Sequence, residues 1–312
     1  MSATPNGAAN GSAARSANTS PHNADPDPPI SWPVNRPESR GEWTPEVDHE
    51  IRLRDLKDVR TPTTSQNSHR PGFPVSDREL LPGQPRSLSG IGFRSFALGQ
   101  ALGLSLAAAL YLNAVSHNPV WRAPFFVTVL ALFHFLEFWT TARYNTPSAK
   151  TASFLFSNGK EYQMAHSAAM LEHLVTRYFF ADWHSKVTTA GLTTVLGIAL
   201  IALGQTVRSV AMAQAGTNFN HMVQSKKNSG HELVTDGIYA WLRHPSYFGF
   251  FWWGLGTQLM LGNAVCFAIY AAVLWRFFSH RIMHEEKFLI NFFGDEYRKY
   301  RARTTVAIPF IP

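Results

Sequence analysis

Two groups of polar side chains in the C-terminal third have the types and spacing of a site for a charged ligand. The first group lies in residues 218–247, where Arg243-His244-Pro245-Ser246 opens a predicted helix. Proline suits a first helical turn, and the free N–H groups of a helix N-terminus bind carboxylate or phosphate. The alternative is an interfacial belt, in which aromatic rings anchor the helix and Arg243 meets lipid headgroups. Donors, acceptors and ring faces are offered by Gln224, His231, Tyr239, His244 and Tyr247.

The second group lies in the stretch WRFFSHRIMHEEKFL, where Arg281 and Glu285 are four residues apart and share one helical face. An ordinary ion pair has the same spacing. An arginine at membrane depth is costly, however, which makes it a functional candidate, and its planar guanidinium suits a carboxylate. His280 and His284 also stand four apart. We predict no metal site, because two imidazoles lack a third ligand and Arg281 would repel a cation.

Long uncharged runs indicate the helices that position these groups. They predict membrane spans near 92–114, 120–142 and 187–207, and a hairpin of 246–261 and 264–280 that turns at Gly262-Asn263. The stretch 160–181 is apolar and aromatic but carries Glu161, Glu172 and Arg177. It either spans the membrane or lies in the interface as an amphipathic helix.

The distribution of basic residues predicts the orientation. With six spans and a cytoplasmic N-terminus, most loop lysines and arginines fall on the cytoplasmic side, as the positive-inside rule requires. The sequence therefore predicts an all-α integral membrane protein of about six transmembrane helices. We divide it into a disordered cytoplasmic tail (1–88), transmembrane helices 1–4 (89–213) and a cytoplasm-facing catalytic region with the hairpin (214–312).

Composition supports this division. The first 90 residues hold 10 basic and 11 acidic residues and lack apolar runs, which predicts disorder apart from a short helix within 43–60. The other 222 residues hold 18 basic and 10 acidic residues, and the cations flank apolar runs as in membrane-protein loops. We therefore expect no nucleic-acid partner. The single cysteine, Cys266, excludes an intrachain disulfide, and no signal peptide is visible.

Four segments within 214–312 resemble the isoprenylcysteine carboxyl methyltransferases: GTNFNHMVQ, HELVTDGIYAWLRHPSYFGFFWWGLGTQLMLGN, WRFFSHRIMHEEKFLINFFGDEYRKY and IPFI. The resemblance implies a multi-pass enzyme of the endoplasmic reticulum membrane with a cytoplasmic active site. It would transfer a methyl group from S-adenosylmethionine to the C-terminal carboxylate of a farnesylated or geranylgeranylated cysteine. Its partners would be prenylated CaaX proteins, such as small GTPases and lipidated peptides, and membrane lipid. One departure is Gly262-Asn263-Ala264, where the family often has Asn-Pro.

The resemblance also implies roles for individual residues. Arg281 and Glu285 would be catalytic, with Arg281 binding the substrate. A cysteine carboxylate is ionised at neutral pH and needs no general base, so we assign Arg281 to positioning. The cofactor would be held by Gln224, His231, Glu232, Leu233, Val234, Tyr239, His244, Pro245, Ser246, Tyr247 and Glu285.

Three other functions fit parts of the pattern. A sterol-type reductase using NADPH shares the terminal helical layout, but more spans and a basic pocket for the 2′-phosphate would be expected. A phospholipid N-methyltransferase has an amine acceptor, which Arg281 would repel. A transporter or scaffold is disfavoured because no internal repeat or inverted pair of broken helices is evident.

Overall fold

The computed structural model describes residues 77–156, 159–182, 191–227 and 230–312, and this part of the chain is helical. Residues 1–76 of the predicted tail (1–88), including the short helix in 43–60, lie outside the described residues. Residues 77–87 of that predicted tail form the 3₁₀ turn Asp77–Leu80 and the turns that lead to Ser87, the N-cap of α1. The all-α prediction is confirmed, since the described residues form only one isolated bridge, between Leu242 and Thr305. The helices are α1 Leu88–Leu110, α2 Arg122–Tyr144, α3 Lys160–Phe179, α4 Leu192–Ala215, α5 Pro245–Leu261, α6 Val265–Phe293 and α7 Asp295–Arg303.

Within the described residues, four helical segments are long and apolar enough to cross a membrane. They are Leu88–Val115, Pro119–Tyr144, Leu192–Asn218 and Val265–Phe293, and they correspond to four of the six predicted spans. The two others are α3, which is polar in part, and α5, whose 17 residues make a helix of about 25 Å. That length is slightly less than the roughly 30 Å hydrocarbon core. The six-span count and the orientation stay predictions.

The predicted C-terminal hairpin is present. Gly262, at φ 77° and ψ 30°, ends α5 in the left-handed conformation that glycine adopts readily, and α6 begins three residues later. We predicted that the second arm ends near residue 280, and this was wrong, because α6 continues to Phe293. No glycine or proline interrupts residues 265–293, so nothing stops the helix earlier. Arg281 and Glu285 therefore stand on the same continuous helix as the membrane-spanning segment.

Helices α4 and α5 touch backbone to backbone because glycines line both sides of their contact. A Cβ atom placed on Gly204 would lie 2.5 Å from the Gly249 carbonyl oxygen. One placed on Gly256 would lie 2.8 Å from the carbonyl oxygen of Gly197. Small residues at such positions allow close helix approach within a membrane. This contact fixes the position of the α5 N-terminus, where the predicted polar residues lie.

Helix α1 differs from the others because most of its surface is uncovered. Phe93, Phe96 and Leu104 are 72%, 66% and 69% exposed, respectively. A large exposed apolar surface marks a contact with another apolar phase, and on a spanning helix that phase is lipid.

The residues before α1 are held by the connection between α2 and α3, where the Thr151 N–H donates to the Pro85 carbonyl at 2.7 Å.

The chain closes by folding back onto the start of α5. Gly294, at φ 56°, separates α6 from α7. Beyond α7, Thr305 exchanges backbone hydrogen bonds with Trp241 and Arg243, at 3.2 and 3.1 Å. Val306 and Ile308 are fully or almost fully buried, so they fasten the terminal segment to the helices.

Candidate active site

A cavity lies where the N-terminus of α5, the loop of residues 231–240, α6 and α7 meet. It contains about 710 Å³ of empty space, part of it open to solvent. Side chains from four separate stretches of sequence form its wall, and their polar and aromatic groups are mixed. The wall consists of Ala215, Asn218, Phe219, Asn220, His231, Glu232, Leu233, Val234, Tyr239, Arg243, His244, Pro245, Ser246, Tyr247, Glu285, Leu289, Phe293, Tyr297 and Tyr300.

Most of the residues predicted to hold a cofactor line this cavity. His231 to Val234, Tyr239, His244 to Tyr247 and Glu285 all belong to its wall. Gln224 does not, because its side-chain amide turns back and donates to the Met222 carbonyl at 3.2 Å. Residues 221–227 belong to no regular helix or strand that would direct the Gln224 side chain toward the cavity.

Tyr247 connects the two predicted catalytic residues. Its hydroxyl donates to Oε2 of Glu285 at 2.5 Å and accepts from Nε of Arg281 at 2.8 Å. Arg281 also lies over the Tyr247 ring, with its guanidinium carbon 5.3 Å from the ring centroid. The spacing of Arg281 and Glu285 predicted one helical face, and the structure places the tyrosine of α5 between them. In the described structure, Arg281 and Glu285 form no direct ion pair with each other, although an ion pair is the ordinary interpretation of their spacing.

Arg281 faces a second space on the other side of Tyr247. This groove along α6 is lined by Val273, Arg276, Phe277, His280 and Arg281. Val273 and Phe277 are at least half exposed and lie on a membrane-spanning segment. The guanidinium therefore stands between a polar cavity and an apolar surface. A second guanidinium nitrogen, Nη2, donates to the His221 carbonyl and fixes the plane of the group.

The first turn of α5 is less free than the sequence suggested. The N–H groups of Tyr247 and Phe248 both bond to the His244 carbonyl, at 3.0 and 3.1 Å. A helix N-terminus loses anion-binding capacity when its N–H groups are paired in this way. The rings of His244 and Tyr247 stack, with centroids 5.4 Å apart. The α5 start therefore offers ring faces and side chains to the cavity, and fewer N–H groups than we expected.

Arg243 belongs to the cavity wall, and its guanidinium is directed into the protein and not toward lipid. It is buried, and its Nε donates to Oε1 of Glu286 at 2.6 Å while Nη1 donates to the Thr304 carbonyl at 3.0 Å. Arg301 of α7 lies 3.2 Å from the other Glu286 oxygen. These contacts contradict the alternative in which Arg243 meets lipid headgroups. The guanidinium is needed to neutralise Glu286 and to bind the terminal segment.

A buried ion pair supports the cavity from below. Glu137 of α2 is 1% exposed and Arg208 of α4 is 6% exposed. Both carboxylate oxygens of Glu137 accept from Arg208, and Arg208 Nη1 also donates to the Ser246 hydroxyl at 2.8 Å. The Phe133 and Phe250 rings lie beside the guanidinium. The pair thereby ties α2 and α4 to the first turn of α5.

Burial governs the titratable groups of the loops. Burial lowers the pKa of His221 to about 4, and Arg208, Arg281 and Lys150 act in the same direction against Glu137. His221 is therefore neutral at neutral pH. Burial also raises the pKa of Tyr239, which keeps its phenol protonated as a hydrogen-bond donor to the Ala211 carbonyl at 3.2 Å. Among the described residues, no group of three His, Cys, Asp or Glu could hold a metal ion.

Comparisons with known proteins give this arrangement a family. The model of the isoprenylcysteine carboxyl methyltransferase family matches residues 196–291. The Saccharomyces cerevisiae protein-S-isoprenylcysteine O-methyltransferase is 47% identical over 219 residues, which cover 70% of this chain and 89% of that protein. The human enzyme of the same name is 39% identical, over 71% of this chain and 75% of its own.

This chain belongs to the isoprenylcysteine carboxyl methyltransferase family. A solved structure, described as the eukaryotic intramembrane Ras methyltransferase ICMT without a monobody, has the same fold. It aligns with a TM-score of 0.65 and 36% identity, covering 71% of this chain and 77% of the other. The predicted family is confirmed, and with it a multi-pass membrane fold. The reductase, phospholipid methyltransferase and transporter alternatives lose their support.

Sequence reasoning about this isoprenylcysteine methyltransferase missed several residues of the site. The Glu137–Arg208 pair left a signal, because ionisable residues within membrane segments usually have a partner and a function. Tyr297 and Tyr300 left none, since aromatic residues of α7 resemble ordinary packing residues until the fold turns them toward the cavity. Tyr300 donates to the Tyr239 carbonyl at 2.7 Å, which links α7 to the 231–240 loop.

Proposed function

We propose that this chain methylates the C-terminal carboxylate of prenylated cysteine with S-adenosylmethionine as the methyl donor. The observation that carries the proposal is the position of Arg281, between the mixed polar cavity and the apolar groove of α6. A prenylcysteine has an anionic carboxylate next to a long apolar chain. Arg281 suits the carboxylate, and the groove beyond it suits the chain.

The cavity residues fit S-adenosylmethionine. The cofactor is a cation that also carries an ammonium group, a carboxylate and an aromatic base. Glu285 provides a negative charge, and the rings of Tyr247, Phe293 and Tyr300 provide faces that attract cations. Tyr297 adds a phenol hydroxyl to the same wall. When bound, S-adenosylmethionine supplies an electrophilic methyl group on a positively charged sulfur.

The residues of the chain then have to align, and not to activate, the acceptor. The prenylcysteine carboxylate is already ionised, so no group needs to remove a proton. In Arg281, Nε and Nη2 are engaged by Tyr247 and His221, while Nη1 has no hydrogen bond to another described residue. We assign Nη1 to the substrate carboxylate. Holding the carboxylate in line with the methyl group removes most of the entropic barrier of a two-body reaction.

Glu285 acts on the cofactor side of Tyr247. Its carboxylate accepts from the Tyr247 hydroxyl, and the same hydroxyl accepts from Arg281. The tyrosine therefore keeps the two opposite charges apart and holds each toward its own ligand. A direct ion pair would neutralise both groups and would leave neither for binding.

The site's position in the cell follows from its two ligands. S-adenosylmethionine is charged and water-soluble, so the cavity has to open to the cytoplasm, whereas the prenyl chain reaches the groove from lipid. We place the enzyme in the endoplasmic reticulum membrane with this face toward the cytoplasm. Its partners are prenylated CaaX proteins, including small GTPases, and the surrounding lipid.

A transfer assay tests the proposal. Purified protein in lipid nanodiscs is incubated with radiolabelled S-adenosylmethionine and N-acetyl-S-farnesylcysteine, and label in the methyl ester is counted. We expect label in the farnesylated substrate, none with unprenylated N-acetylcysteine and none with the preformed methyl ester. Absence of label with a preparation that binds S-adenosylmethionine would reject the acceptor. Phosphatidylethanolamine as acceptor tests the N-methyltransferase alternative in the same assay.

A further inference from the structure

We infer that Gln214 and Asn218 are positioning residues, which hold the backbone of the 231–240 loop over the cavity. The inference rests on the proposed function, because that loop forms the wall against which the cofactor would lie. Neither residue was predicted from the sequence. Gln214 lies in the last turn of α4, the helix that also carries Arg208, and Asn218 ends the short 3₁₀ turn Gly216–Asn218 that follows it.

Three hydrogen bonds join the end of α4 to the loop. The Gln214 Oε1 atom accepts from the Ile238 N–H at 2.8 Å, and the Asn218 Oδ1 atom accepts from the Glu232 N–H at 2.9 Å. The Tyr239 hydroxyl donates to the Ala211 carbonyl at 3.2 Å. Two of the contacts come from the last turns of α4 and the third from the 3₁₀ turn that follows it. They therefore fix the loop near both of its ends.

The loop depends on these contacts because it has little regular structure. Residues 231–235 belong to no helix or strand, so no ladder of backbone hydrogen bonds holds them. Leu233 and Val234 lie between the two amide contacts and line the cavity with apolar side chains. An apolar side chain gives little direction to a backbone. The side-chain oxygens of Asn218 and Gln214 thus supply directional hydrogen bonds to the backbone on either side of Leu233 and Val234.

Gly237 shows how closely the loop approaches Gln214. It adopts φ +57°, and a Cβ atom placed on it would lie 2.5 Å from the Gln214 amide atoms. A side chain at that position would displace the Gln214 amide from its contact with the loop. Glycine therefore serves both the left-handed backbone and the close contact.

Gln214 is the sharper test because it does not line the cavity, whereas Asn218 does. An effect of Gln214 on the cofactor has to pass through the Ile238 N–H. A loop that spends less time in its binding position lowers the apparent affinity in proportion to that fraction. For a loop that holds its binding position for a minor fraction of the time before the cofactor binds, loss of one hydrogen bond lowers that fraction by about three- to tenfold.

The experiment compares three variants in nanodiscs. Gln214→Leu keeps the bulk beside Gly237 and loses the acceptor, and Gln214→Glu keeps an acceptor oxygen. Gln205→Leu is the matched control, because Gln205 of α4 donates only to Ser209 of the same helix. We expect the Kd for S-adenosylmethionine to rise about three- to tenfold in Gln214→Leu and to stay unchanged in the other two. The KM for N-acetyl-S-farnesylcysteine should not change, and hydrogen exchange over residues 231–240 should increase only in Gln214→Leu.

Two results would overturn the inference. One is a Gln214→Leu enzyme with unaltered cofactor affinity and unaltered hydrogen exchange in the loop. The other is a Gln214→Glu enzyme as weak as Gln214→Leu, since the acceptor oxygen would then be irrelevant. Failure of the proposed function looks different, because the unsubstituted enzyme itself would neither bind S-adenosylmethionine nor transfer label.

Discussion

The two ends of helix α5 use similar polar side chains in opposite ways. At its C-terminal end, near Gly262, polar groups are paired with one another inside the protein. At its N-terminal end, near Tyr247, they line a cavity and keep capacity for a ligand. Both ends belong to one 17-residue helix, so the difference does not come from the helix itself. It comes from the elements that pack on each end.

The C-terminal end is closed by α3. The Asn263 amide donates to the Ala169 carbonyl and to Gln258 Oε1, both at 2.9 Å. The two oxygens of Glu172 accept from the N–H groups of Val265 and Cys266, at 2.8 and 2.6 Å. An acidic side chain at a helix N-terminus is favourable because it meets the positive end of the dipole. Glu172 therefore caps α6 from a neighbouring helix.

The N-terminal end is open because α7 and the 231–240 loop stand back from it. Tyr247 contacts Glu285 and Arg281 through one hydroxyl, and Tyr247 and Glu285 both line the cavity. The contrast teaches that buried polar residues do not by themselves reveal function. Those that satisfy one another hold the fold, whereas those that face a cavity serve a ligand. Substitutions at the two ends should therefore affect different measurements.

The largest effect should come from Arg208→Met. It would show that the N-terminal end of α5 also depends on a paired, structural side chain, and so the two ends would differ less than proposed. Glu137 would remain buried without a partner, at a cost of about 3–5 kcal/mol in the free energy of unfolding. Thermal unfolding followed by tryptophan fluorescence measures it. The double replacement Glu137→Met with Arg208→Met should recover most of the loss. Unchanged stability of Arg208→Met would mean that water or lipid headgroups already solvate the pair.

Tyr247→Phe should lower transfer strongly with little change in stability. The hydroxyl bonds to two charged groups, and such bonds contribute about 1.5–3 kcal/mol each. We expect kcat/KM for N-acetyl-S-farnesylcysteine to fall roughly 10- to 100-fold. Tyr270→Phe is the control. The Tyr270 hydroxyl lies 3.0 Å from His166 Nδ1, and neither residue belongs to the cavity wall. Equal activity of the two variants would remove Tyr247 from its bridging role.

Gly256→Ala should weaken the contact between α4 and α5, which fixes the position of both ends of α5. Its Cβ would meet the Gly197 carbonyl and the Ile201 N–H at 2.8 Å, and backbone atoms cannot move aside cheaply. The expected loss is about 1–3 kcal/mol in the free energy of unfolding, measured by thermal denaturation. Gly103→Ala in α1 is the control, since nothing lies within 4 Å of its Cβ. A Gly256→Ala protein as stable as Gly103→Ala would contradict backbone contact between α4 and α5.

Glu172→Gln tests whether the C-terminal end of α5 affects stability without affecting cofactor binding. One of the two oxygens and the negative charge at the α6 N-terminus are lost, at about 1 kcal/mol in unfolding free energy. The affinity for S-adenosylmethionine should stay unchanged in calorimetry. Glu161→Gln, in the exposed first turn of α3, should cost less stability because its charge is in water, and it should leave the affinity unchanged. A weakened cofactor affinity in Glu172→Gln would show that the two ends are coupled.

The smallest effect at neutral pH concerns His221. Because its folded pKa, about 4, lies below the ordinary value of 6.5, the unfolded chain binds more protons between those values. Stability is therefore complete above about pH 6.5 and declines as the pH falls toward 4. His221→Asn should flatten that decline in thermal unfolding, whereas His280→Asn, at an exposed position, should not. An unchanged decline in His221→Asn would exclude this histidine as its source.

Much of the site was predictable because its residues are close in sequence. His231 to Val234 and His244 to Tyr247 lie in one loop and one helix start, and Arg281 and Glu285 lie on one face of α6. Gln224 lies outside the cavity wall, and the sequence offered no means to foresee this, because a side chain in an irregular segment has no periodicity that fixes its direction. The end of α6 was misplaced for a different reason. A change from apolar to polar residues marks a membrane boundary, and a helix continues through it unless glycine or proline intervenes.

The amino-acid sequence by itself determined the helical membrane class, the hairpin at Gly262 and the chemical types assembled around Tyr247. Those features depend on local composition, hydropathy and spacing, which neighbouring residues carry. Only the tertiary structure decided that Tyr247 separates Arg281 from Glu285, that Glu137 pairs with Arg208 across 71 positions, and that α4 holds the 231–240 loop. Such contacts join distant parts of the chain, and they form only once close α4–α5 packing has fixed which surfaces meet.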